Sequence, residues 1–166
     1  MANEIRDPFS YYDIAQNLLT TINEVFGSNQ VSLPERQYVA VGPENTVAYD
    51  CEQMTVTFKN VADGLAYNDV PRMLSCQAFQ SGIFFVELVR CIPSTSASGM
   101  KVSAPSAQDI TEASKNMMRD AKLFREVVDI VKEDPNIMDK PMYSITFGEP
   151  SGGFQSVQLS IKRNVY

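Results

Sequence analysis

The segment Ile83-Phe84-Phe85-Val86-Glu87-Leu88-Val89 is apolar at every position but Glu87, and the reading of the whole chain turns on it. Alternate residues of a strand point to opposite sides, so a run that is apolar on both sides predicts a central strand covered from above and below. It sits in a longer β-like tract, residues 73–92, in which Gly82 predicts a kink or bulge, either within one bent strand or where two strands join at Ser81-Gly82. A central strand needs neighbours. Upstream, residues 48–58 alternate, with Met54, Val56 and Phe58 on one face and Gln53, Thr55 and Thr57 on the other, which predicts a half-buried strand. Gln37-Tyr38-Val39-Ala40-Val41, stopped by Gly42-Pro43, predicts a shorter strand followed by a turn. Downstream, Tyr143, Ile145 and Phe147 alternate, a glycine-rich turn spans residues 148–153, and Val157, Leu159 and Ile161 alternate again, the pattern of a terminal hairpin.

Two amphipathic stripes flank these strands. In residues 11–26, Tyr11, Ile14, Ala15, Leu18, Ile22, Val25 and Phe26 recur at steps of three and four, predicting a helix with Ser10 as N-cap, Asp13 in its first turn and Gly27 as its stop. The second stripe is Ile110, Ala113, Met117, Ala121, Phe124, Val127, Val128 and Val131, opened by a Ser106/Asp109 capping pair and closed near Glu133, before Asp134-Pro135. Between the elements, residues 60–71 and 94–106 are rich in Gly, Pro, Ser, Ala and Asn and predict long surface loops, a length that points to contact roles. Helix, strands, long helix and closing hairpin together predict an α+β fold: a mostly antiparallel sheet with both helices laid on it, residues 1–166 forming a single domain.

Composition narrows the function. The chain has 166 residues, 44% of them hydrophobic and 20% charged, enough for one ordinary core. There is no histidine, so Ser-His-Asp and Cys-His catalysis and His-containing zinc sites are excluded. A net charge of −6 argues against tight nucleic-acid binding, which relies on Lys and Arg at phosphates. The start, Met-Ala-Asn-Glu-Ile-Arg-Asp-Pro, has neither a basic region nor an apolar core of a secretory signal, no apolar run approaches a membrane span, and the three dispersed cysteines, Cys51, Cys76 and Cys91, fit reduced thiols; the expectation is a protein made in the cytoplasm, with no cofactor.

The chemistry-bearing candidates are few. Asp50 and Glu52, two apart, share a strand face and form either an acidic pair that could hold a cation or act as acid and base, or a solvated strand edge or an ion pair with an arginine. Glu87, inside the apolar run, needs a partner because an unpaired buried carboxylate costs several kcal/mol. Arg36, Arg72 and Arg90 are the candidates for it, in a salt bridge that is buried or crosses between subunits. Asp69, in the loop of residues 60–71, joins Asp50, Glu52, Glu87, Arg72 and Arg90 as an interface candidate. Gly148-Glu-Pro-Ser-Gly-Gly153 lacks the lysine and following helix of a phosphate loop, and Met117-Met118 predicts core filling.

Three segments carry a resemblance: Tyr38-Val39-Ala40-Val41-Gly42; Val47-Ala48-Tyr49-Asp50-Cys51-Glu52-Gln53; and Cys76-Gln77-Ala78-Phe79 running into Phe85-Val86-Glu87-Leu88-Val89-Arg90-Cys91-Ile92-Pro93. With the Ala-rich helix begun by Ser106, they resemble neck proteins of long-tailed phages of actinobacteria, over roughly residues 36–133. Where that pattern usually has tryptophan before Asp-Cys-Glu-Gln, this chain has Tyr49, and its loops at residues 60–71 and 94–106 are generous. The resemblance implies a head-to-tail connector component, most like a tail terminator: a small α+β subunit of the virion that assembles as a ring of six on the tail tube protein, halts its polymerisation and offers a face to the head connector or stopper. It also implies that genomic DNA passes through the lumen without specific binding, and six copies of a −6 chain would make that ring strongly acidic. A stopper or adaptor between portal and tail is the alternative within this class. The alternative outside it is a small enzyme using Asp50, Glu52 or Glu87 as acid or base, which requires those carboxylates to converge in one pocket.

Overall fold

The computed structural model describes residues 11–42, 52–63, 80–98, 101–134, 141–151 and 153–165. In chain order these form α1 (Tyr11–Ser28), β1 (Gln37–Val41), β2 (Gln53–Asp63), β3 (Gln80–Cys91), β4 (Ser96–Ser98), β5 (Lys101–Ser103), α2 (Ala107–Glu133), β6 (Met142–Phe147) and β7 (Phe154–Val165). The main sheet runs β1-β2-β3-β7-β6, with β1 parallel to β2 and every other neighbour antiparallel, so the fold is α+β with a mostly antiparallel sheet. The apolar run around Phe84 occupies the middle strand, as its two-sided pattern requires.

Register explains the core. Met54, Phe84 and Ile161, with Val56, Val86 and Leu159, project from one side of β2, β3 and β7. On that side lie α1, over β1 and β2, and α2, over β7 and β6. Ile14, Leu18, Ile22 and Phe26 of α1 and Phe124, Val127, Val128 and Val131 of α2 complete one buried cluster. Burial of a large apolar side chain contributes about 1.5–3 kcal/mol, so this interface between helices and sheet dominates the fold.

Several boundaries differ from the sequence reading, each for a physical reason. Helix α1 runs through Gly27 to Ser28, and the left-handed residue that ends it is Gln30, with φ 57°. The Val31 N–H donates to the Phe26 carbonyl at 2.9 Å and the Gln30 N–H to the Gly27 carbonyl at 3.0 Å, which is a Schellman closure built without glycine. The cap expected of Ser10 lies outside the described residues. The Ser106/Asp109 capping box of α2 is present, its two members bonded reciprocally.

Strand β3 pairs with β7 without a register shift through Gly82. The irregularity lies on the partner, where pairing shifts between Phe58 and Asn60 of β2. The glycine serves close approach instead: a Cβ there would stand 3.1 Å from Cε1 of Tyr11, whose ring stacks on Phe58 with centroids 4.4 Å apart. Strand β2 begins at Gln53 and continues to Asp63, into the expected loop of residues 60–71. Its polar side is buried as well as its apolar side, since Gln53, Thr55 and Thr57 are each at most 1% exposed. The expected loop of residues 94–106 contains the small β4–β5 hairpin. Along α2, burial starts at Met117, and Ile110 on the same stripe is 50% exposed, so the first turns of this 27-residue helix extend past the core. The methionine pair splits, with Met117 buried and Met118 exposed.

The hydrogen-bond phase of the two outer strands follows from bonds at their ends. The Gly148 N–H donates to the Ser156 carbonyl, so the even-numbered residues of β6 bond to β7, and Tyr143, Ile145 and Phe147 direct their backbone groups away from the sheet. The Gly42 N–H donates to the Phe58 carbonyl and the Met54 N–H to the Arg36 carbonyl, so Tyr38 and Ala40 bond to β2, and Gln37, Val39 and Val41 face outward.

Candidate functional site

Of the six candidate side chains, Glu52, Glu87 and Arg90 are described, while Asp50, Asp69 and Arg72 lie outside the described residues. The sheet separates the three that are seen. Glu87 and Arg90 are three apart on β3 and therefore project from opposite sides, which prevents a Glu87–Arg90 salt bridge within one chain.

Arg90 stands on the helix side. Its Nε donates to Oδ2 of Asp120 at 2.9 Å, its Nη2 to the Ser32 carbonyl at 3.0 Å, and its Nη1 lies 3.6 Å from Oε2 of Glu52. Asp120 is fully buried, and its second oxygen, Oδ1, lies 3.2 Å from Nη2 of Arg119. Two acids and two guanidinium groups thus form a compact, formally neutral cluster that ties α2 to β3, to the start of β2 and to the α1–β1 connection. The strong contact is the charge-assisted Arg90–Asp120 bond, whereas Glu52, which is half exposed, contributes little. Asp120 was missed in the sequence reading. Its signal was positional, an aspartate on the apolar stripe between Met117 and Phe124 where a buried charge demands a cation.

Glu87 stands on the helix-free side, opposite Thr55 of β2 and Gln158 of β7. The Gln158 side chain donates from Nε2 to Oε1 of Glu87 at 3.0 Å and to Oγ of Ser156 at 3.2 Å. These groups floor a pocket of about 310 Å³, walled by Gly148, Glu149 and Phe154 of the β6–β7 turn. Gly148 is required there, because a Cβ would overlap Oγ of Ser156. Glu149, which the sequence presents only as a turn residue, therefore shares the pocket with Glu87. The recess is acidic and rich in hydrogen-bond acceptors, a match for a cationic or amide group. Nearby, the side-chain amide of Gln53 and the hydroxyls of Thr57 and Tyr38 are buried with no hydrogen-bond partner among the described residues.

The convergence required by carboxylate catalysis is not formed by Glu52 and Glu87, which the sheet holds apart. Among the described residues no group of three Cys, Asp or Glu side chains is placed to hold a metal ion, and no helix is long and apolar enough to cross a membrane. Cys91, the residue after Arg90, is exposed. No protein-family model matches the chain, and no curated protein matches its sequence.

Proposed function

We propose that this chain is a structural subunit of a phage neck, a tail terminator that works through its surfaces and forms a ring of six between the tail tube protein and the head connector. What supports the reading is the resemblance of roughly residues 36–133 to neck proteins, joined to an α+β architecture of the kind that resemblance implies. The observation that carries it is where the apolar surface lies. Val41 is 80%, Met118 67%, Ile110 50% and Phe147 49% exposed, at both edges of the sheet and on the outer side of α2, while Arg90 and Asp120 pair with each other. Apolar side chains spread over several separate faces suit a subunit that touches more than one neighbour.

The test is electron microscopy of particles assembled by a phage lacking this chain. Tails of excess and irregular length are expected, because nothing halts the tube. Tails of normal length beside emptied heads would replace the terminator with the stopper, and intact infectious particles would overturn both.

A further inference from the structure

We infer that copies of this chain join edge to edge, with β6 of one subunit pairing antiparallel to β1 of the next so that the five-stranded sheets run on from subunit to subunit. This rests on the ring reading above and names the surfaces that make the ring.

The first observation is the character of the two outer strands. Edge strands of proteins that remain monomeric are blunted by lysine, proline, bulges or extreme shortness. Here β1 reads Gln-Tyr-Val-Ala-Val and β6 reads Met-Tyr-Ser-Ile-Thr-Phe, without a charge or a proline, and neither is paired on its outer side among the described residues. Three of the exposed large apolar side chains, Val41, Met142 and Phe147, sit on these two strands.

The second observation is that the edges fit each other. Strand β1 runs with β2 and β7, and β6 runs against them, so edges brought together by side-by-side repetition of the sheet are antiparallel. Their phases agree too. The residues with outward backbone groups are Gln37, Val39 and Val41 on one edge and Tyr143, Ile145 and Phe147 on the other. All six project their side chains to the helix side, in register with Met54, Val56 and Phe58 and with Val157, Leu159 and Ile161. Setting Val39 opposite Ile145 puts Gln37 against Phe147 and Val41 against Tyr143. Every outward donor then meets an acceptor, helix side continues as helix side, and aliphatic and aromatic cross-strand neighbours result. The contact joins two different surfaces, so successive copies close into a ring or run on as a filament. A second copy is the occupant because each edge supplies the direction, phase and apolar cover that the other lacks.

The test uses the full chain with Cys51, Cys76 and Cys91 changed to serine and a cysteine placed on each edge, Gln37→Cys with Phe147→Cys, oxidised at millimolar concentration. A covalent ladder beyond the dimer is expected, ending at a closed species, and Val41→Pro should abolish it by removing one outward N–H while leaving the bonds to β2 intact. Circular dichroism and a thermal melt check that the proline variant is folded. No product beyond those of the two single-cysteine chains overturns the edge pairing; a ring seen by native mass spectrometry without these links would do so while leaving the ring reading intact. A ladder that grows without closing would keep the pairing and remove the ring.

Discussion

Asp120 is the residue at which burial and charge conflict most sharply, and Arg90 resolves the conflict. Removing one member of a buried pair is costly because the survivor stays desolvated, typically by about 3–5 kcal/mol. Arg119 remains on the other carboxylate oxygen, so Arg90→Met is expected to destabilise the protein by about 3 kcal/mol in urea unfolding, near the low end of that range. The double variant Arg90→Met/Asp120→Leu should recover most of that loss, since no buried charge is left over. A double variant as unstable as the sum of its parts would show that the pair contributes through packing alone. The sequence offered Arg36, Arg72 and Arg90 alike as partners for Glu87 and gave no means of ranking them. Which element crosses above a strand face is a tertiary fact, and α2 delivers Asp120 there.

At the scale of elements, the end of α1 shows where residue type and conformation part company. Gly27 occupies a helical position with open space where a Cβ would stand, while Gln30 carries the left-handed turn. Glycine is unfavourable inside a helix by about 0.5–1 kcal/mol relative to alanine, and a side chain in the left-handed region costs about as much. Gly27→Ala and Gln30→Gly should therefore each stabilise by about 0.5–1 kcal/mol, raising the melting temperature by roughly 2–4 °C per kcal/mol in differential scanning calorimetry. A fall in melting temperature for Gln30→Gly would mean that the Schellman geometry contributes less than the side chain it displaces. Helix α2 makes a second comparison, since Phe124 and Ile110 share one stripe but only Phe124 is buried. Phe124→Ala should cost about 3–5 kcal/mol and Ile110→Ala less than about 0.5 kcal/mol, and equal costs would show that the projecting turns are packed in solution. Periodicity identifies both residues as members of one apolar face; how far the sheet extends beneath the helix decides which of them meets a partner.

For the molecule as a whole, a chain of net charge −6 whose proposed joining strands carry no charge should repel its copies through its overall field and attract them through its edges. Raising the ionic strength screens the first effect and leaves hydrogen bonding and apolar contact in place. Assembly measured by light scattering should accordingly strengthen with salt, and weakening would point to an interface held by ion pairs. The amino-acid order by itself determined the order of the two helices and the strands of the main sheet, the middle position of the Ile83–Val89 run, the capping box of α2 and the α+β class, because each follows from local periodicity and backbone chemistry. Only the tertiary structure decided that Glu52 and Glu87 lie on opposite sides of the sheet, that Arg90 answers to Asp120, that Glu149 joins Glu87 in one pocket, and that β1 and β6 are the strands left at the edges. These depend on which segments cross in space, and strand order is set by burying the two helices and the sheet against one another, a condition on the whole chain that no single stretch of residues contains.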